Sequence, residues 1–277
     1  MYKINLFDKN FAHSLEEDGF DTCSAGRKPK IVKWERNNLS WDGITVFTDW
    51  FIADDIVDKV TSKYKVAWLV EPKSIYPWAY NQIIEVENKF DLILTHDAEL
   101  LKRGSKYKRN VVGSLRVPDD KQKIYNKNKH VSIIASDKNH TEGHQLRHKL
   151  IKICPQLETW GSGYNRFNSK LDPLKDYMFS VAVMNSRVDN YFTEVLTDCF
   201  ALGTVPIFWG TPNINKFFNT EGIIQFADIE EFKNIKLSKE IYNNMLPAIH
   251  DNFERVKNYK STDDLVAQTL IDHYNIL

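Results

Sequence analysis

YMFSVAVMNSRVDNYFTEVLTDCFALGTVPIFWG, Tyr177 to Gly210, decides how this chain is read. It opens as an apolar strand and breaks into a polar loop holding Asn185, Ser186, Arg187, Asp189 and Asn190. Tyr191, Thr193 and Glu194 then start an amphipathic helix, and a second apolar strand runs to Gly210. In an α/β sheet, ligands bind where strand carboxyl ends meet helix N–H groups. Asn185 and Ser186 stand at that point and can reach the polar edges of a ligand. Both also suit helix caps and turns. Glu194 is favoured in a first helical turn by about 0.3–1 kcal/mol whatever its function.

Outward from this stretch, strand and helix patterns alternate. Before it come a strand at His130 to Ala135, a polar loop at Ser136 to Thr141 and a helix at Glu142 to Ile153. A short strand at Leu157 to Trp160 and a Gly161-Ser162-Gly163 turn follow. After it, Gly222 to Phe226 reads as a strand. Ser238 to Val256 and Ser261 to Tyr274 read as closing helices, each with a serine N-cap.

The first part repeats the alternation. Strands are expected at Tyr2 to Phe7, Ile44 to Thr48, Lys65 to Val70, Phe90 to Thr95 and Val111 to Gly113. Helices are expected at Asp49 to Lys63, Tyr76 to Asn88 and Ala98 to Arg103, with irregular chain from Leu15 to Ser40. Val117 to Lys129 is charged, has little to bury and reads as a linker. The pattern predicts an α/β chain of two domains, residues 1–120 and 130–277, the closing helices falling in the second. Two Rossmann-like domains facing across a cleft are the expected arrangement.

Lys plus Arg equals Asp plus Glu at 37 each. That balance disfavours nucleic acid as the main partner. Hydrophobic residues make up 42%, enough for a sizeable core and against disorder. Cys23, Cys154 and Cys199 are scattered and odd in number, which argues against a disulfide framework or a cysteine zinc site and fits a reducing compartment. His140, His144 and His148 lie i, i+4, i+8 on one helix without a carboxylate at metalloprotease spacing, so a polar helix face is expected and no metal. Met1 leads straight into YKINLF, with no leader pattern. No run approaches the roughly 18 apolar residues of a membrane span. A soluble, cytoplasmic protein is the expectation, although a chain trimmed of an anchor would look the same.

The opening stretch resembles the donor-binding signature of the α-1,3/1,4-fucosyltransferase family, glycosyltransferase family ten. That signature reads approximately YKFxxxFENSxxxDYxTEKL followed by a segment ending VPVVxG. Tyr177, Phe179, Asn185, Ser186, Tyr191, Thr193, Glu194 and Leu196 match in register, as do Val205, Pro206 and Gly210. GIIQFADIEEF and ETWGSG resemble two further family elements, so the resemblance covers roughly residues 130–235. It implies a GT-B type glycosyltransferase using a nucleotide-sugar, GDP-fucose in the family, and a glycan acceptor, with no metal cofactor. It implies donor binding by Arg147, Asn185, Ser186, Tyr191, Thr193 and Glu194. Arg147 suits phosphate because its planar fork donates two parallel hydrogen bonds. It can equally be a surface arginine on a helix.

Four positions depart from the family pattern. Its Lys after Thr-Glu is Val195, its Glu before Asn-Ser is Met184, its Lys before Phe is Met178 and its Asp before Tyr is Asn190. The Val195 change removes a cation that holds the donor diphosphate in the family, and Arg187 or Arg147 could take its place. The departures leave the donor sugar open.

Transfer to a hydroxyl needs a base. VAWLVEPKSI resembles the family's "ESP" element, which implies Glu71 as that base, at a strand's carboxyl end beside Pro72. Glu71 can also be a solvent-facing carboxylate, and Asp97 competes for the role. Trp34 and Trp41, in polar sequence, are the candidate acceptor-stacking residues, whereas Trp68 inside its strand reads as core. The expected function is inverting transfer of a sugar from a GDP-sugar to a glycan hydroxyl, a step in glycan biosynthesis. The rivals are the same fold with another nucleotide-sugar and a non-catalytic carbohydrate- or nucleotide-binding module.

Overall fold

The computed structural model describes residues 1–9, 13–15, 20–22, 28–110, 113 and 115–275. The chain divides into two units, Met1–Val112 with Lys260–Leu277, and Gly113–Tyr259. Each is built on one parallel sheet.

The first unit contains β1 (Tyr2–Phe7), a small antiparallel hairpin of β2 (His13–Leu15) and β3 (Phe20–Thr22), β4 (Val32–Arg36) and β5 (Ile44–Thr48). Next come α1 (Ile56–Lys59), β6 (Tyr64–Trp68), α2 (Pro77–Val86), β7 (Leu92–Thr95), α3 (Ala98–Leu101) and β8 (Tyr107–Arg109). Its main sheet has the order β4-β1-β5-β6-β7-β8. Successive residues of a strand point to opposite faces, so two cores form. Ile4, Leu6, Val46, Val66 and Trp68 fill one face, while Phe7, Phe47, Ala67 and Ile93 fill the other with Ala79, Tyr80 and Ile83 of α2. Burial on both faces is what a parallel sheet demands.

In the second unit, β9 (Lys129–Ile134), α4 (Glu142–Ile153), β10 (Glu158–Trp160), β11 (Tyr177–Val183), α5 (Glu194–Ala201), β12 (Val205–Trp209) and β13 (Ile224–Gln225) follow in turn. α6 (Ile229–Lys233), α7 (Lys239–Asn244) and α8 (Leu246–Lys257) complete it. The sheet order is β10-β9-β11-β12-β13. Val131, Ile133, Phe179, Val181, Val205 and Ile207 form its core with Leu146 and Leu150 of α4.

The α/β class and two-sheet organisation are as the alternation predicts. Several elements differ. The last helix, α9 (Thr262–Tyr274), was expected with the second domain but belongs to the first unit. Its Val266, Ala267 and Leu270 are fully buried against the first sheet, and Asp264 accepts the backbone N–H groups of Lys30 and Ile31. Val266 and Leu270 each stabilise by about 1.5–3 kcal/mol when fully buried, which a dissociated helix would forfeit.

The expected linker is docked chain. Lys127 is buried, its ammonium donating to the carbonyls of Leu202 at 2.7 Å and Lys175 at 2.9 Å and to Thr204 Oγ1 at 2.9 Å. β4 lies inside the stretch expected to be irregular. Val32 and Trp34 point inward and Lys33 outward, an edge-strand pattern hidden by charged neighbours. The helix expected over 49–63 is a 3-10 turn at Asp49–Phe51 and the four-residue α1. Asp54 accepts the Ile56 N–H and so competes with helix bonding. The helix expected over 238–256 is two, because Pro247 has no N–H and falls at the start of α8. Of the strand expected at 111–113, residues 111 and 112 lie outside the described residues, as does Cys23. Among the described residues no helix is long and apolar enough to cross a membrane.

Candidate functional site

Both sheets reverse their strand order at one point. In the second unit this lies between β9 and β11, in the first between β1 and β5. Crevices at the carboxyl ends of strands beside such a reversal are where α/β proteins bind ligands. Polar residues gather at both.

In the second unit Arg147 projects from α4 to the end of β11. It is only 8% exposed. Its Nε donates to the Val183 carbonyl at 3.1 Å, Nη2 also donates to that carbonyl, and Nη2 reaches Asn185 Oδ1 at 3.3 Å. Burial works against the guanidinium charge, with Tyr191 and Glu194 acting the other way, and the group stays ionised at neutral pH. The surface-arginine alternative is therefore excluded. Arg147 is a buried cation fastened to the loop that carries Asn185. The Gly143 N–H donates to the Asn185 carbonyl at 3.2 Å, which joins the first turn of α4 to the same loop.

Ser186 is buried, and Tyr191 is almost wholly so at 1% exposed. Thr193 caps α5, its hydroxyl accepting the Val195 N–H at 3.4 Å. Glu194 follows, with Arg116 Nε 3.3 Å and Lys170 Nζ 3.8 Å from its Oε1. Burial would raise this carboxyl, but Lys170 and Arg116 outweigh it and hold the group below the usual carboxylate range. Sequence pattern alone did not single out Lys170 or Arg116. Lys170 lies in the irregular stretch between β10 and β11, where no periodicity marks it.

One departure from the signature, Asn190, sits in a tightly bonded turn. Asn190 has φ of 62°, a left-handed conformation that Asn tolerates well. Its N–H donates to Asn213 Oδ1 at 3.0 Å, and Asn213 Nδ2 donates back to Asn190 Oδ1 at 3.0 Å. The side-chain oxygen and backbone N–H of residue 190 therefore pin the loop to the chain after β12. Arg187 is exposed and lines a cavity of about 260 Å³ with Gly210, Thr211, Gln225 and Glu231. Met184 is buried, and Val195 brings no charge.

In the first unit Glu71 lies just past β6, partly exposed. Asp49, beyond β5, accepts the backbone N–H groups of Val70 at 2.9 Å and Glu71 at 3.2 Å. The Tyr80 hydroxyl donates to the Glu71 carbonyl at 2.7 Å. Asp97, the competing base candidate, caps α3 by accepting the N–H groups of Glu99 and Leu100, both at 2.9 Å. Trp34 is a core residue of β4, 5% exposed, with Nε1 donating to Asp263 at 2.7 Å. Its ring has no free face for a sugar, which corrects the stacking expectation. Trp41 is half-buried, and its indole nitrogen lies against Gly43. His144 bonds Thr141 at 2.8 Å, and His148 bonds Tyr164 and the Lys138 carbonyl, both at 2.9 Å. His144 is buried and His148 half-buried, so the expected polar face of α4 does not extend to His144.

Residues 124–255 match the family model described as glycosyltransferase family 10 (fucosyltransferase) C-term. The alpha-(1,3)-fucosyltransferase FucT of Helicobacter pylori is 36% identical over 72 residues, 26% of this chain and 14% of that relative. The chain thus spans a small part of that relative's length. A crystal structure of an alpha1,3-fucosyltransferase with GDP aligns over 99% of this chain and 91% of that one, with TM-score 0.57 and 17% identity. An alpha-glucosyltransferase in complex with UDP-glucose and DNA aligns over 97% and 98%, with TM-score 0.56 and 11% identity. These likenesses show the fold, two parallel-sheet α/β units of the GT-B type. Ile124 to Arg255 is the part of the chain that matches the C-terminal domain of the family 10 glycosyltransferases, the fucosyltransferase family.

Proposed function

We propose that this chain is an inverting, fucosyltransferase-like glycosyltransferase that moves a sugar from a GDP-sugar to a hydroxyl of a glycan acceptor. One observation carries the proposal. Arg147, buried and bonded to Asn185, stands at the strand-order reversal of a family 10 domain. A buried cation beside helix N–H groups is the arrangement that receives a diphosphate.

In the proposed step the acceptor oxygen attacks the anomeric carbon of the donor. The bond from that carbon to the phosphate oxygen breaks, its electron pair leaves with GDP, and Glu71 takes the acceptor proton. Arg147 stabilises the charge that develops on the diphosphate. Asn185, Ser186, Thr193 and Glu194 position nucleotide and sugar. Tyr191, itself buried, favours the charged form of Arg147. No step requires a metal ion. GDP-fucose is the proposed donor, in keeping with the family match and with the fold shared with a fucosyltransferase crystallised with GDP.

A second reading, the same chemistry with another nucleotide-sugar, is favoured by the neutral Val195. Calorimetry with GDP, GDP-fucose, UDP and UDP-glucose separates the two. Tight binding of GDP and GDP-fucose only is expected, and preference for a uridine nucleotide would replace the GDP-sugar proposal. Glu71→Gln tests the base. Turnover should fall about 10²–10⁴-fold with GDP affinity intact. Near-normal turnover would sink that role.

A further inference from the structure

Glu71 has both backbone polar groups gripped by side chains. The β6 ladder ends as Leu69 donates to the Leu94 carbonyl at 2.9 Å. The next two N–H groups, of Val70 and Glu71, go instead to the two oxygens of Asp49, at 2.9 and 3.2 Å. From α2, the Tyr80 hydroxyl donates to the Glu71 carbonyl at 2.7 Å and stands 3.3 Å from His96 Nε2. Pro72 then restricts the chain from the other side.

Asp49 is a costly way to satisfy two N–H groups. It is wholly buried, and burial pushes its carboxyl well above the usual range. The two backbone N–H groups pull it back, but the nearby Glu71 and Asp8 carboxylates push the same way as burial. A ladder carbonyl would serve a strand end without bringing a third carboxylate there. What a carboxylate adds is a rigid two-pronged acceptor, one oxygen on each of two successive peptide groups.

We propose that Asp49 is a positioning residue for Glu71, and that with Tyr80 it holds the Glu71 backbone so that the carboxylate meets the acceptor hydroxyl. This role rests on the reading of Glu71 as the base. Misplacing a reacting group by about 1 Å can cost about 100-fold in rate while leaving binding unchanged. The fold supplies the geometry. Asp49 follows β5 and Glu71 follows β6, neighbouring parallel strands in register at Thr48 and Trp68.

The test uses the full chain with Asp49→Asn and Tyr80→Phe, and Glu71→Gln as control. An Asn offers one acceptor oxygen and turns an NH2 group toward the other N–H. Tyr80→Phe keeps the ring and removes only the hydroxyl. Both variants should lower kcat for transfer, Asp49→Asn by about 10–100-fold and Tyr80→Phe less. Acceptor KM and GDP affinity should stay within about twofold, a split that general loss of structure would not produce. A collapsed Glu71→Gln together with wild-type kcat in both clamp variants would overturn the role of Asp49 alone. Near-normal turnover in Glu71→Gln would overturn the base and this role with it. If Asp49→Asn fails to fold, Tyr80→Phe decides: unchanged kcat refutes the clamp, and a fall in kcat at constant KM supports it.

Discussion

Gly143, in the first turn of α4, lies against the main chain of Met184, just beyond β11. A Cβ at Gly143 would stand 1.8 Å from the Met184 carbonyl oxygen and 3.0 Å from the Asn185 Cα. No side chain fits that gap, so helix and loop close to backbone contact. This contact sets the distance from which Arg147, four residues on, reaches Val183 and Asn185.

Gly143→Ala is therefore expected to push α4 from the loop. Overpacking of this kind costs about 1–3 kcal/mol, with more where backbone must move. Thermal unfolding should show the loss. GDP affinity by calorimetry should fall at least about tenfold, the equivalent of about 1.4 kcal/mol, if the loop holds the diphosphate. Full affinity in a folded variant would remove the loop from the donor site.

Arg147→Lys tests the fork. A lysine keeps the charge but cannot bond the Val183 carbonyl and a phosphate with one planar group. GDP affinity is expected to drop about tenfold or more, consistent with the roughly 1.5–3 kcal/mol of a charged hydrogen bond. Uridine- and guanosine-diphosphate should be affected alike, since the contact is to phosphate. An unchanged affinity would leave Arg147 as a purely structural tie.

Asp198 makes stability depend on pH. Its carboxyl is buried, and burial pushes it up to about 6 despite Lys170 and the N–H groups of Arg116 and Val117. The folded value exceeds the unfolded one, about 3.9, so the native state binds more protons between the two. Stability should fall as pH rises from about 4 to about 6 and then level off for this group. Asp198→Asn should flatten that segment. Both N–H groups bond Oδ1, which an asparagine carbonyl can replace. Chemical denaturation across pH 4–8 checks the slope, and an unaltered profile would refute the assignment.

The last helix should be a structural part of the first unit. Asp264→Ala leaves the Lys30 and Ile31 N–H groups without their carboxylate, costing about 1–3 kcal/mol for each group left unsatisfied. Trp34→Phe removes the indole donor to Asp263 and should cost a similar amount. Deleting residues 260–277 should lower the melting temperature far more than either substitution. A deletion with unchanged stability would contradict the docking.

Much of the architecture was legible because parallel sheets bury both faces. Runs such as KVAWLV and FDLILT could only be strands, and their spacing required intervening helices. The candidate site at Tyr177–Gly210 was legible for a local reason, since Asn185, Ser186, Thr193 and Glu194 occupy fixed places around one strand-to-helix turn. The errors arose where a residue's partner is remote in sequence. Trp34 reads as an exposed aromatic among charges, yet its partner Asp263 lies 229 positions away. Lys127 reads as linker lysine, yet it is anchored by carbonyls 48 and 75 positions on.

The sequence by itself determined the α/β class of the fold and the resemblance of residues 124–255 to the family 10 C-terminal domain, because hydrophobic period and turn chemistry act over a few residues. Only the tertiary structure decided that Arg147 is buried on the Asn185 loop, that the final helix returns to the first sheet, and that Asp49 and Tyr80 grip Glu71. Those outcomes depend on which distant groups share a buried volume. There an unpaired polar atom costs kilocalories, and only the folded chain brings a partner close enough to satisfy it.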